Sequence, residues 1–210
     1  RVTPYAWAMG IDGDVGVHGV TAPVDVDFLD AVDELDMAGM LAVEANNGVW
    51  GVLVDGSYLR LDDSADTPVG EVDIELEQWI VQASALYRAS QSGKTVFDAG
   101  AGARFMEMDT DLSSAVIDAD GTESWGDPVL VARVRQQFGP NCYGTLYGDI
   151  GGFGVASELT WQFIAAAGYS FTETVSGILA YRHLDYDYDE DGFVYDAATS
   201  GLALGIQFEL

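Results

Sequence analysis

Basic residues are scarce in this chain. Eight Lys and Arg stand against 35 Asp and Glu, a formal net charge of −27 over 210 residues. That balance excludes the basic footprint a nucleic-acid partner requires, and it excludes a polybasic patch for anionic lipid. Cysteine is scarcer still. Cys142 stands alone, which rules out an internal disulfide and a cysteine zinc cluster. No run of eighteen apolar residues exists, so no transmembrane helix is expected. The opening RVTPYAW carries no leader, as a processed or trimmed N-terminus would not. A lipid anchor is not expected, because Cys142 lies far inside the chain.

What the chain does have is alternation. Ten runs repeat with period two, at roughly 5–19, 37–46, 49–61, 72–88, 95–108, 128–138, 142–150, 158–171, 175–187 and 194–210, the signature of strands. Short connections at Asn46-Asn47-Gly48, 89–94, Gly139-Pro140-Asn141 and Thr172-Glu173-Thr174 alternate with longer ones at 20–36, 62–71, 109–127, 151–157 and 186–193. Segments 24–36, 62–77, 107–127 and 185–196 hold 26 of the 35 acids and no base. Four of the long connections overlap these acidic patches. The fold expected is all-β: a ten-stranded antiparallel up-and-down transmembrane β-barrel with short periplasmic turns and longer acidic extracellular loops. It forms a single domain over residues 1–210.

The stretch TVFDAGAGARFMEM, 95–108, poses the question of which face is which. One parity is Phe97, Ala99, Ala101, Ala103, Phe105; the other is Asp98, Gly100, Gly102, Arg104, Met106. A soluble strand would bury the first set, and a membrane barrel would turn it to lipid. Elsewhere large aromatics mark one parity: Tyr5, Trp7; Trp50, Tyr58; Trp79, Tyr87; Trp161, Phe163, Tyr169; and Leu202 to Phe208 in the last run. The opposite parity mixes small and polar residues. Many aromatics sit near strand ends, as membrane girdles do. The runs often reach ten residues or more, a bilayer-spanning length rather than the 5–6 typical of soluble strands. We therefore expect the apolar parity to face lipid. A soluble β-barrel ligand carrier is the alternative that reverses this assignment.

Three elements resemble a broad group of bacterial outer-membrane β-barrel proteins of the surface-antigen or opacity-like type. They are Trp125-Gly126-Asp127-Pro128 with Ala132-Arg133-Val134-Arg135; Gly148-Asp149-Ile150-Gly151-Gly152-Phe153-Gly154 with Ser157 and Trp161-Gln162; and Tyr181-Arg182-His183-Leu184-Asp185-Tyr186. The likeness implies a barrel integral to a bacterial outer membrane, not an activity. The ending Phe208-Glu209-Leu210 departs from it, because such barrels usually end on an aromatic residue.

In this register the interior carries acids at Glu44, Asp55, Asp98 and Asp149, with Asp12, Asp14 and Glu158 on the same parity. It carries bases at Arg88, Arg104, Arg133, Arg135 and Arg182. Arginine suits such a place because its planar fork binds carboxylates and stays charged. The expected role is an outer-membrane structural or surface-interaction barrel with a side-chain-filled interior. A narrow channel for ions or small solutes along the charged ladder is the first alternative. A surface hydrolase built on His18 and His183 is the second.

Two further features bear on partners. VDVDFLDAVDEL, 24–35, spaces Phe28, Leu29, Val32 and Leu35 as on an amphipathic helix. That helix, at about 25–35, would cap the barrel mouth or dock a partner. Asp187, Asp189 and Asp191 followed by Gly192 match the start of an EF-hand loop, although its twelfth position is Ala198 rather than Glu. Calcium is thus the one cofactor expected as possible. Expected partners are outer-membrane lipids, and a protein partner or a second copy through loops or lipid face.

Overall fold

A computed structural model describes residues 1–17, 20–26, 35–67, 70–113, 118–190 and 192–210. Its strands are β1 Val2–Val17, β2 Val20–Val26, β3 Leu35–Asn46, β4 Trp50–Thr67, β5 Gly70–Ser92 and β6 Thr95–Ser113. They continue with β7 Asp118–Gln137, β8 Cys142–Gly152, β9 Leu159–Ser170, β10 Val175–Glu190 and β11 Phe193–Phe208. Each pairs antiparallel with its neighbour, and β11 closes on β1 from Val2↔Phe208 to Gly16↔Val194. Ten staves make the closed barrel. The eleventh strand, β2, pairs with the far half of β1, while the first residues of β1, Val2 to Tyr5, pair with β3. The pairing of β11 with β1 closes the ring and satisfies the backbone polar groups of both strands, as an apolar solvent demands.

The four tight connections lie at one end together with both termini; this is the turn end. At the Asn47 turn, Asn47 Oδ1 accepts from the amides of Val49 and Trp50 at 3.0 and 2.8 Å, a side-chain-built turn of the kind asparagine favours. The other end carries hairpins longer than the sequence suggests. The expected loops 62–71, 109–127 and 186–193 are mostly strand. The reason is visible in Asp109-Thr110-Asp111-Leu112 and Tyr186-Asp187-Tyr188-Asp189, where acids alternate with β-branched, aliphatic or aromatic residues. Acid is compatible with a strand once the ladder is satisfied. The 151–157 connection is the exception. The β8–β9 hairpin stops at Gly152 and Leu159, so the wall is notched there.

The ends of the expected helix are strand: Asp25 and Val26 close β2, and Leu35 opens β3. Phe28, Leu29 and Val32 lie outside the described residues.

The outer wall is apolar. Phe97, Ala101, Ala103 and Phe105 are exposed, while Asp98 and Arg104 are buried at 3 % and 1 %. From Phe97 to Phe105 the strand rises about 26 Å at ~3.3 Å per residue, or about 20 Å of height at a tilt near 40°. Trp50, Trp79, Trp161, Leu130, Leu179 and Leu204 are exposed on the same outer face. A continuous apolar surface of this kind is unstable in water and suited to lipid. The inner face of β6 is pressed against β5: a Cβ on Gly100 or Gly102 would strike the carbonyl oxygens of Ala85 and Ala83. These glycines let the backbones of β5 and β6 approach closely.

β1 reverses the expected parity. Trp7 and Met9 are buried at 5 % and 8 %, and Asp12 and Asp14 are exposed. Every interior base has other carboxylates to meet, so inward Asp12 and Asp14 would have been unpaired charges in a low-dielectric core. Turning Trp7 inward also fills volume that Ala6 and Ala8 could not. Glu158, too, is exposed rather than interior.

Candidate functional site in the barrel lumen

All nine residues expected in the interior network face the lumen, and they divide into three groups on two levels along the axis. Nearest the turn end, β3, β5, β6 and β7 bring together Glu44, Arg88, Asp98, Arg133 and Arg135. The Arg133 fork donates to both Glu44 oxygens at 3.0 and 2.9 Å and to Asp98 at 2.9 Å. Arg135 reaches Asp98 at 3.1 Å and Glu44 at 3.4 Å, and Arg88 reaches Asp98 at 3.4 Å. Three cations thus share two carboxylates. β6 and β7 supply adjacent rungs here, since Asp98 lies directly opposite Arg133.

Higher up, Asp55 accepts from Arg182 at 3.0 Å and from the Tyr5 hydroxyl at 3.0 Å. The Arg182 guanidinium lies 4.5 Å from the centre of the Trp7 ring, a cation–π contact. At the same height Arg104 donates to Gln82 at 2.9 Å, to Thr160 at 2.8 Å, and to Asp149. Asp149 also accepts from Gln82 and Gln162 at 3.1 and 3.0 Å. Both members of the Arg104–Asp149 pair have fully buried side chains. Saturating a buried carboxylate and a buried guanidinium with hydrogen bonds is the condition for tolerating them there.

Above this layer the lumen becomes apolar. Met9, Met40, Leu59, Ile80, Met106, Met108, Trp125, Leu184, Tyr186, Tyr188 and Tyr195 form one buried cluster. Trp125 of β7 stacks on Tyr188 of β10 at 4.1 Å and 13°, and Tyr188 donates to Glu123 at 3.0 Å. These contacts join β7 to β10 across the notch above the short β8–β9 hairpin. The hairpin's own connection is pinned inward, because Ser157 donates its amide and hydroxyl to Asp127 at 2.9 and 2.6 Å. Sequence reasoning missed this plug. Trp125, Tyr186 and Tyr188 share the parity of Asp127 and Arg182, and that shared parity was the signal that could have found it.

Below the charged layer the lumen is open. A vestibule of about 920 Å³ runs to the turn end, lined among others by Glu44, Arg88, Arg133, Tyr147 and Ile164. The interior is therefore neither uniformly filled nor continuous: it is a blind vestibule, a polar seal and an apolar plug in series.

The remaining expected site residues are not gathered. Asp187 and Asp189 stand exposed on the outer face of β10, and Asp191 lies outside the described residues. An EF-hand loop converges its oxygens by wrapping the backbone around the ion, whereas an extended strand spreads alternate side chains about 7 Å apart. Among the described residues no group of three or more His, Cys, Asp or Glu is placed to hold a metal ion. His183 faces outward, with Nδ1 2.6 Å from Ser200 Oγ and its ring 4.5 Å from that of Trp161. His18, the other histidine of the hydrolase alternative, lies outside the described residues.

Comparison with known proteins bears on the architecture. No protein-family model and no curated protein sequence matches the chain. In structure it aligns along its whole length with the outer-membrane protease OmpT of Escherichia coli, over 96 % of that chain, at a TM-score of 0.55 and 9 % identity. The fold is that of an outer-membrane β-barrel. Looser alignments reach Neisserial surface protein A, at a TM-score of 0.42 and 12 % identity over all of this chain and 97 % of that one. They also reach Ail of Yersinia pestis, at 0.34 and 12 % over 99 % and 96 %. At such identities the likeness is one of fold, not of activity.

Proposed function

We propose that the protein is an integral barrel of a bacterial outer membrane, of the surface-antigen or opacity type, serving a structural or surface-interaction role. In this reading the turn end faces the periplasm and the extended acidic hairpins stand at the cell surface, where a partner or a second copy would meet them. One observation carries it: the lumen is blocked at mid-height by the Arg104–Asp149 layer and above it by the Trp125–Tyr188 plug. A ten-stranded barrel is close to the size that side chains fill, and here they fill one half of it. The barrel therefore does not conduct. Reconstitution in planar bilayers is expected to give no stable single-channel steps. Reproducible steps whose size changes in Arg104→Met would establish the channel alternative instead.

A further inference from the structure

Among the described residues the vestibule is an open part of the interior. Its two sides differ in chemistry. One wall carries Arg88, Arg133 and Arg135 around Glu44 and Asp98, and so bears one positive charge in excess. Of the other carboxylates lining it, Glu209 pairs with Arg1 and Asp55 with Arg182 and Tyr5, and Glu173 stands exposed at the rim. Arg88 bonds through Nε alone, so its two terminal nitrogens have no partner among the described residues. Lys94 stands at the rim with no ion pair among them either. Five of the eight bases of a chain with net charge −27 thus line this one cavity.

The facing wall is mixed: Ile164, Ala166 and Ile178 lie beside the rings of Tyr143 and Tyr147, with Thr145, Ser170, Ser176 and Gln207 on the same side. The cavity lies within the size range of small-molecule sites, and it joins an apolar surface to a few convergent polar groups as such sites do.

We propose that the vestibule binds a small amphipathic carboxylate entering from the turn end. Its carboxylate pairs with the free nitrogens of Arg88 and with Arg135. Its apolar body lies on Ile164 and Ile178. An excess guanidinium with free planar donors selects a carboxylate over a neutral amide of the same shape. The site is closed toward the plug, so ligand enters and leaves by one mouth and does not cross.

N-acetylphenylalanine carries a carboxylate and an apolar ring and is soluble in water. Its binding to the full chain in lipid nanodiscs is measured by calorimetry and by saturation-transfer NMR, with empty nanodiscs as the blank. The neutral N-acetylphenylalanine amide is the comparator. The expected result is saturable binding of the acid, at least about tenfold tighter than the amide. Arg88→Gln and Arg135→Gln should each weaken it about tenfold, the loss of one charge-assisted hydrogen bond. Both variants keep Arg133 and its paired carboxylates, and the barrel circular-dichroism spectrum confirms folding. Equal binding of acid and amide, binding unchanged in both folded variants, or no binding at millimolar concentration would each overturn the proposal. A conducting barrel would refute the blocked lumen but leave this selectivity to be measured on its own.

Discussion

Replacing Arg104 by Met tests the seal at mid-height. The two side chains have similar length, so the change removes charge and hydrogen bonds with little loss of volume. Three interactions go: the bonds to Gln82 and Thr160, at 2.9 and 2.8 Å, and the ion pair with Asp149. Two hydrogen bonds at about 1 kcal/mol each account for about 2 kcal/mol. Leaving a buried charge without its partner brings such losses to about 3–5 kcal/mol. Asp149 keeps its amide donors from Gln82 and Gln162, which places the expected cost near the lower bound, about 3 kcal/mol. Adding Asp149→Asn removes the stranded charge, so the double variant should recover about 1–2 kcal/mol of that loss. The assay is reversible urea unfolding of the protein from lipid vesicles, followed by tryptophan fluorescence. Arg104→Met costing under 1 kcal/mol, or Asp149→Asn costing the same with and without Arg104, would refute the claim that this pair is buried and coupled.

Trp125→Ala should cost about 3–5 kcal/mol in the same assay, because it removes the stack on Tyr188 and opens a cavity in the plug. Gly102→Val should prevent assembly, read as loss of the folded band on an unboiled gel, because its side chain meets the Ala83 carbonyl. On the outer surface Asp187, Asp196 and Asp14 lie directly opposite one another across β10, β11 and β1. Asp196→Asn should therefore stabilise by about 0.5 kcal/mol at low salt. That gain should vanish in 1 M salt, where screening acts over about 3 Å.

Much of the fold was legible because a membrane barrel writes its connectivity into turn lengths. Asn46-Asn47-Gly48 and Gly139-Pro140-Asn141 marked hairpins that the structure contains. Facing was legible where one parity held charge, as in Asp98 and Arg104 of β6. It was not legible in β1, where Trp7, Met9 and Ile11 oppose Ala6, Ala8 and Gly10, and either set is compatible with lipid. Only the volume needed inside the barrel decides that strand. The hairpin extensions were hidden for a different reason: acidic composition was read as loop, yet period-two alternation continues through 109–112 and 186–189. The lumen residues could be named, but not their partners. Arg133 meets Glu44 from 89 positions away, a pairing set by curvature and register rather than by local sequence.

The central claim is that the alternation of this chain is turned outward, with apolar residues in lipid and charge within. Nitroxide labels at Ala99, Ala101 and Ala103, each as a single cysteine in a Cys142→Ser background, test it most directly in reconstituted vesicles. Labels at Ser84 and Thr145, in the vestibule wall, complete the set. The three β6 labels should collide more with oxygen than with a water-soluble nickel chelate, and the vestibule labels should do the reverse. Alanine labels that favour the chelate, or that are shielded from both reagents in a packed core, would contradict the account.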